Sequence, residues 1–154
     1  MITLGQRALQ ISAGYLGSVA VGAMVYVLVW ILLQLHILLR TDNWLEGPSF
    51  FLSFAAAVGI AAFVMTAIPV FVLVVLAEKN RWRHLGLHLF CGLAVGTMAI
   101  TLFIYIMPQI GGRSDMAELA HAVIASAVAG TVAGWVYWFL SGQNAGAARR
   151  QISG

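Results

Sequence analysis

Formal charge falls in five short clusters along this chain, and four long charge-free runs separate them. The clusters are Arg7; Arg40, Asp42 and Glu46; Glu78, Lys79, Arg81 and Arg83; Arg113, Asp115 and Glu118; and Arg149 with Arg150. The runs 8–39, 47–77, 84–112 and 119–148 hold 32, 31, 29 and 30 residues. About 20 apolar residues cross a bilayer core as a helix, so each run is long enough to span with room for interfacial ends. The pattern predicts an all-α integral membrane protein, an antiparallel bundle of four transmembrane helices. The expected spans are about 11–39, 50–77, 85–107 and 118–140, in one domain over 1–154.

Composition separates this reading from a soluble helical bundle. Charged residues make up 8% of the chain and hydrophobic residues 62%, whereas a soluble domain carries about 25% charged residues. The connections are short, which leaves no soluble catalytic lobe. The net charge of +3 reads as topology rather than as a nucleic-acid footprint, because Lys and Arg collect in cytoplasmic loops. Placing both termini and the 78–83 connection inside puts six of the eight basic residues there, with four of the five acids in the two outer loops. The expected topology is N-in, C-in. The first run is about twice the length of a signal-peptide core and is expected to act as an uncleaved signal-anchor. Cys91 is the one cysteine, so an intrachain disulfide is excluded. It reads as a small apolar filler of the third span.

Punctuation within the spans is sparse. Pro48 suits the first turn of the second helix, where its missing N–H costs little. Pro69 lies within that helix and is expected to kink it by freeing the carbonyl of Met65, with the Thr66 hydroxyl as a substitute donor. Pro108 ends the third helix, and Gly111-Gly112 makes the next turn. Asp115 and Glu118 have capping-box-like spacing for the fourth helix. The tail after Ser141-Gly142 is small and polar and is expected to be flexible, its arginines near anionic headgroups.

Small residues recur every fourth position in all four spans: Gly14, Ser18 and Gly22; Ser53, Ala57 and Ala61; Gly92 and Gly96; Ala122, Ser126, Gly130 and Gly134. In lipid, apolar burial does not drive helices together; close backbone approach and dispersion do. The ridges predict a compact bundle whose bulky Leu, Val, Ile and Phe faces meet lipid or a partner. The fourth ridge serves either the core or an oligomer seam. Trp44, Phe50 and Phe51 at one boundary, and Trp82, Trp135, Tyr137 and Trp138 near the other, fit aromatic belts.

Chemistry-bearing residues are few. His36 and His121 sit at similar depth on different helices and could ligate one b-type haem. His84 and His88 share a helix face at i, i+4 and could meet a small metal ion, though no Cys or carboxylate completes a zinc set. Headgroup-depth placement explains the same residues without a cofactor. Gln34 with Ser53, Thr66, Thr97, Thr101, Ser126 and Thr131 could line a polar track; helix-to-helix hydrogen bonding, about 0.6 kcal/mol each, is the plainer use. No ionisable carboxylate, Lys or Arg falls within the runs, which argues against proton-coupled carriers and intramembrane proteases. Phosphate-binding glycine loops are absent.

The segment AGTVAGWVYWFLSGQNAG (129–146) resembles the last helix of small four-span inner-membrane proteins of proteobacteria, which read AG-x-x-x-G-x-x-YW before a small-residue tail. The resemblance implies a bacterial inner membrane and no activity. The leading expectation is a non-catalytic accessory or scaffold subunit of a membrane assembly, or a small homo-oligomer, with no cofactor and no nucleic acid. The alternatives are a haem electron-transfer protein using His36 and His121, and a small channel or carrier for a neutral or lipid-like solute.

Overall fold

Four helices follow one another along the chain in the computed structural model, which describes residues 4–38, 48–106 and 116–145. They are α1 (Leu4–Leu38), α2 (Pro48–Asn80), α3 (Leu85–Ile106) and α4 (Met116–Leu140), with a 3-10 turn at Gly142–Asn144. All four are long and apolar enough to cross a membrane. At about 1.5 Å per residue, the 35 residues of α1 and the 33 of α2 are longer than a bilayer core of about 30 Å. Large apolar side chains point outward all along them, Leu16, Leu28, Ile60, Val64, Ile68, Phe71, Phe90 and Phe139 among them. The core is made instead of small residues: Ala23, Val27, Ala55, Ala77, Ala125 and Ala129.

The tightest seam is between α3 and α4, where glycine faces glycine. A Cβ on Gly92 would run into the carbonyl oxygen of Gly130 and lie 3.0 Å from the Gly134 Cα. A Cβ on Gly96 would lie 2.6 Å from the Ser126 carbonyl oxygen and 3.1 Å from the Gly130 Cα. These helices touch backbone to backbone, which only glycine permits. α1 packs on the other flank of α4: Gly14 lies against Ser141 and Tyr137, and Gly22 against Ala133. Ser18 is buried between them and donates to the Tyr15 carbonyl at 2.7 Å. The fourth ridge is thus spent inside the bundle. The second-span ridge is not a seam: Ser53, Ala57 and Ala61 are exposed, because the small residues on α1, α3 and α4 pair with one another and leave α2 outside.

α2 therefore closes the bundle loosely. It touches α1 moderately and α3 least of all. Its helix runs unbroken through Pro69. Thr66 donates to the Ala62 carbonyl at 2.7 Å, not to the Met65 carbonyl that Pro69 frees. Thr97, Thr101 and Thr131 also turn back onto carbonyls of their own helices, a common use of mid-helix hydroxyls, so they form neither cross-helix bonds nor a continuous track.

The connection from α2 to α3 is tight. Arg81 adopts φ 56°, and Trp82 N–H donates to the Ala77 carbonyl at 2.9 Å. That bond and that left-handed residue make a Schellman ending, normally served by glycine. A left-handed non-glycine residue costs about 1–2 kcal/mol. Arg81→Gly is expected to raise stability by up to about 1 kcal/mol after glycine's entropic cost. Reversible unfolding in mixed micelles reads this directly.

Candidate functional site

A long cavity runs between α2 and the other three helices, with a volume of about 260 Å³. Its α2 wall is Val58, Ala61, Ala62, Met65, Thr66, Val70, Leu73, Val74 and Ala77. These positions recur at i, i+3, i+4 and i+7, the single face a helix can turn to one neighbour. The opposite walls are mostly small: Ser18, Gly22 and Ala23 from α1; Cys91, Gly92, Val95 and Gly96 from α3; Ser126, Ala129, Gly130 and Ala133 from α4. The cavity arises because glycines draw α1, α4 and α3 together while presenting no bulk to α2. The α3 stretch Leu87–Ile100 lines it throughout, which at 1.5 Å per residue is about 20 Å. The space is long, narrow and free of formal charge.

Its polar lining includes Tyr26 and Ser126 besides two clusters. Midway, the Tyr15 hydroxyl lies 3.1 Å from both the Phe63 carbonyl oxygen and the Thr66 hydroxyl, and its ring packs on Phe63 at 5.4 Å. This clasp ties α1 to α2. At the 81–84 end the cavity meets Trp82, His88 and Tyr137. His88 is buried; its Nδ1 is 3.1 Å from the His84 carbonyl oxygen, and its ring stacks on Tyr137 at 5.9 Å. The far edge of the imidazole presses on Gly142, where a Cβ would lie 2.7 Å from Nε2. His84 is exposed, so the i, i+4 pair does not converge on one ion. Among the described residues, no three His, Cys, Asp or Glu side chains gather as metal ligands do.

Beside that end lies a partly buried polar network that the charge pattern concealed. Arg7, read from sequence as a flanking charge, lies within α1 and is 3% exposed. Its Nε donates to Glu78 Oε1 at 3.1 Å, and Nη2 reaches the same oxygen. Nη1 donates to Gln10 Oε1 at 2.9 Å, and Nη2 to the Ser141 carbonyl at 3.1 Å. Gln10 Nε2 in turn donates to the Leu140 carbonyl at 3.1 Å. One guanidinium joins the start of α1, the end of α2 and the end of α4. It also answers the orphan carbonyls and negative pole of α4. The helices extend past the charge-free runs, to Leu4 and Asn80, and this ionisable pair joins their ends within the bundle.

The residues after α4 are docked rather than loose. Ser141 is fully buried and Ala145 nearly so. Arg83 Nε donates to the Ala145 carbonyl at 2.9 Å, and Trp138 Nε1 to the Arg83 carbonyl at 2.8 Å. The aromatic cluster 135–138 divides three ways. Trp135 faces outward against Phe139, Tyr137 faces the cavity, and Trp138 pins the 81–84 connection.

His121 lies on α4 with a buried Nδ1 lacking a hydrogen-bond partner and does not line the cavity. The side chains of Gln34, His36, Phe50, Phe51 and Glu118, together with Trp44, Pro108, Gly111, Gly112, Asp115, Arg149 and Arg150, lie outside the described residues. The haem pairing of His36 with His121 and the capping box fall among them. Comparison with known family models, curated proteins and solved structures finds no match.

Proposed function

We propose that this chain is a multi-pass membrane protein that binds one neutral, chain-shaped apolar molecule, such as a lipid tail, between α2 and the α1–α4–α3 unit. The cavity carries the reading. The space, about 260 Å³ and partly open at its edge, leaves the apolar side chains that line it short of packing partners. A slender apolar occupant supplies those contacts. The absence of formal charge on the walls favours a neutral body, and the hydroxyl, imidazole and indole groups at the 81–84 end suit a weakly polar head. This reading is taken ahead of the accessory subunit; it shares with the channel-or-carrier alternative only its neutral or lipid-like solute. Bulky outward faces support the accessory subunit, but lipid satisfies those faces equally well. The charge distribution supports N-in, C-in placement, with the Arg7–Glu78 end on the cytoplasmic side of a bacterial inner membrane.

Native mass spectrometry after gentle extraction tests the proposal. Wild type is expected to carry an added mass of lipid size. Val95→Trp places an indole in the cavity and is expected to shed that mass without losing the fold. A bare wild-type protein, or equal retention by both, overturns the reading. Added mass matching larger polypeptides favours the accessory subunit instead.

A further inference from the structure

We propose that the part of α2 beyond Pro69 is a panel that opens and closes this cavity, with the Arg7–Glu78 ion pair as its catch. The inference rests on the cavity being a ligand site and concerns how that site is reached.

The helices are unequally fixed. α1, α4 and α3 are locked by backbone-to-backbone and small-residue contacts, whereas α2 meets α3 most sparsely of all neighbouring pairs. Of the described α2 side chains only Ala55, Thr66 and Ala77 are buried. Polar attachments tie α2 to α1 at two places on either side of Pro69. The first is the Tyr15 clasp on Phe63 and Thr66, and the second is Arg7 on Glu78 in the last turn. Pro69 lies between them, three residues past the clasp and nine before the ion pair. A proline removes one helical hydrogen bond and weakens the helix against bending at that point. The stretch from 70 to 80 therefore has a fulcrum at one end, a catch at the other, and cavity-lining Val70, Leu73, Val74 and Ala77 between them. Swinging it outward parts the sparse α2–α3 seam and widens the cavity's opening sideways to the membrane, the route a lipid-like molecule needs.

Cys91 reports the motion without engineering. It is the only cysteine, is partly buried on α3 and lines the cavity. The experiment is the rate at which a membrane-permeant maleimide labels Cys91 in the full-length protein in micelles. Glu78→Gln is expected to label about tenfold faster or more than wild type, because the buried Arg7 guanidinium loses its counter-charge and the panel shifts toward open. Glu78→Asp keeps the charge with a shorter reach and gives an intermediate rate if Glu78→Gln is poorly folded. A reference protein, Cys91→Ala with Phe90→Cys, carries its thiol on the outward face. It is expected to label at the same rate with and without the added Glu78→Gln substitution.

Equal Cys91 rates in wild type, Glu78→Gln and Glu78→Asp overturn the panel. So does acceleration at both the Cys91 and the outward thiol, since that marks general loosening. Labelling is read without any ligand, so it is independent of the mass measurement. A bare wild-type protein with catch-dependent labelling sinks the ligand reading alone. A lipid-bearing protein with catch-independent labelling sinks the panel alone.

Discussion

Gly92→Ala is expected to cost about 2–3 kcal/mol, and Gly92→Ile to prevent the bundle from assembling. The added methyl has nowhere to go, since it would overlap the Gly130 carbonyl oxygen and crowd the Gly134 backbone. A flexible side chain can rotate away from such a clash, but a helix backbone can yield only by moving as a unit. Moving α3 from α4 at this level also loosens Gly96 against Gly130 and Gly134 against the His88 carbonyl. The loss therefore exceeds one contact, because dispersion falls steeply with small gaps. Gly86 supplies the control on the same helix, since a Cβ there meets nothing within 4 Å. Gly86→Ala is expected to be neutral or stabilising by up to about 1 kcal/mol. Reversible unfolding of both variants in mixed micelles checks the pair. Equal effects would show that the α3–α4 seam is looser than its geometry states.

The charge-free runs made the helices legible, because length and the absence of charge are properties of sequence alone. Helix ends were less so. Arg7 looks like a flanking charge, yet it lies within α1 because Glu78, 71 positions away, supplies its partner. Nothing local to either residue announces that pairing. The GxxxG of α3 and the ridge of α4 are visible as spacing, but spacing could not say that they face each other. The equally regular Ser53, Ala57 and Ala61 ridge is exposed. The cavity was hidden for a related reason. Every face of α2 is apolar, so its cavity-lining stripe has no polar complement to set it off. A cavity is also a property of four helices at once: it exists where the small residues of three of them fail to fill the space left by the fourth. The docking of 141–145 was hidden by composition, since a run of Ser, Gly, Gln and Asn reads as a loose tail until His88 and Arg83 are seen to hold it.

Arg7→Leu is expected to lower stability by about 3 kcal/mol, the low end for breaking a buried pair, because the Glu78 side chain is still 26% exposed. The loss has three sources. Glu78 loses its guanidinium, Gln10 loses a donor, and the Ser141 carbonyl at the negative end of α4 loses its cap. Two of these persist whatever stands at position 78, and one does not. The double variant R7L/E78L separates them. Exchanging a buried ion pair for apolar side chains of similar volume is often neutral, so the second substitution is expected to return more than half of the first loss. The remainder belongs to Gln10 and the α4 terminus, at about 1 kcal/mol for ordinary hydrogen bonds. Thermal or denaturant unfolding of both single variants and the double closes the cycle. If Glu78→Leu alone costs as little as an outward-facing substitution, such as Val75→Ala, the pair is not holding α2. A double variant as stable as wild type but with Cys91 freely labelled would show the reverse division: the ion pair then contributes little to the stability of the bundle and much to keeping its cavity closed.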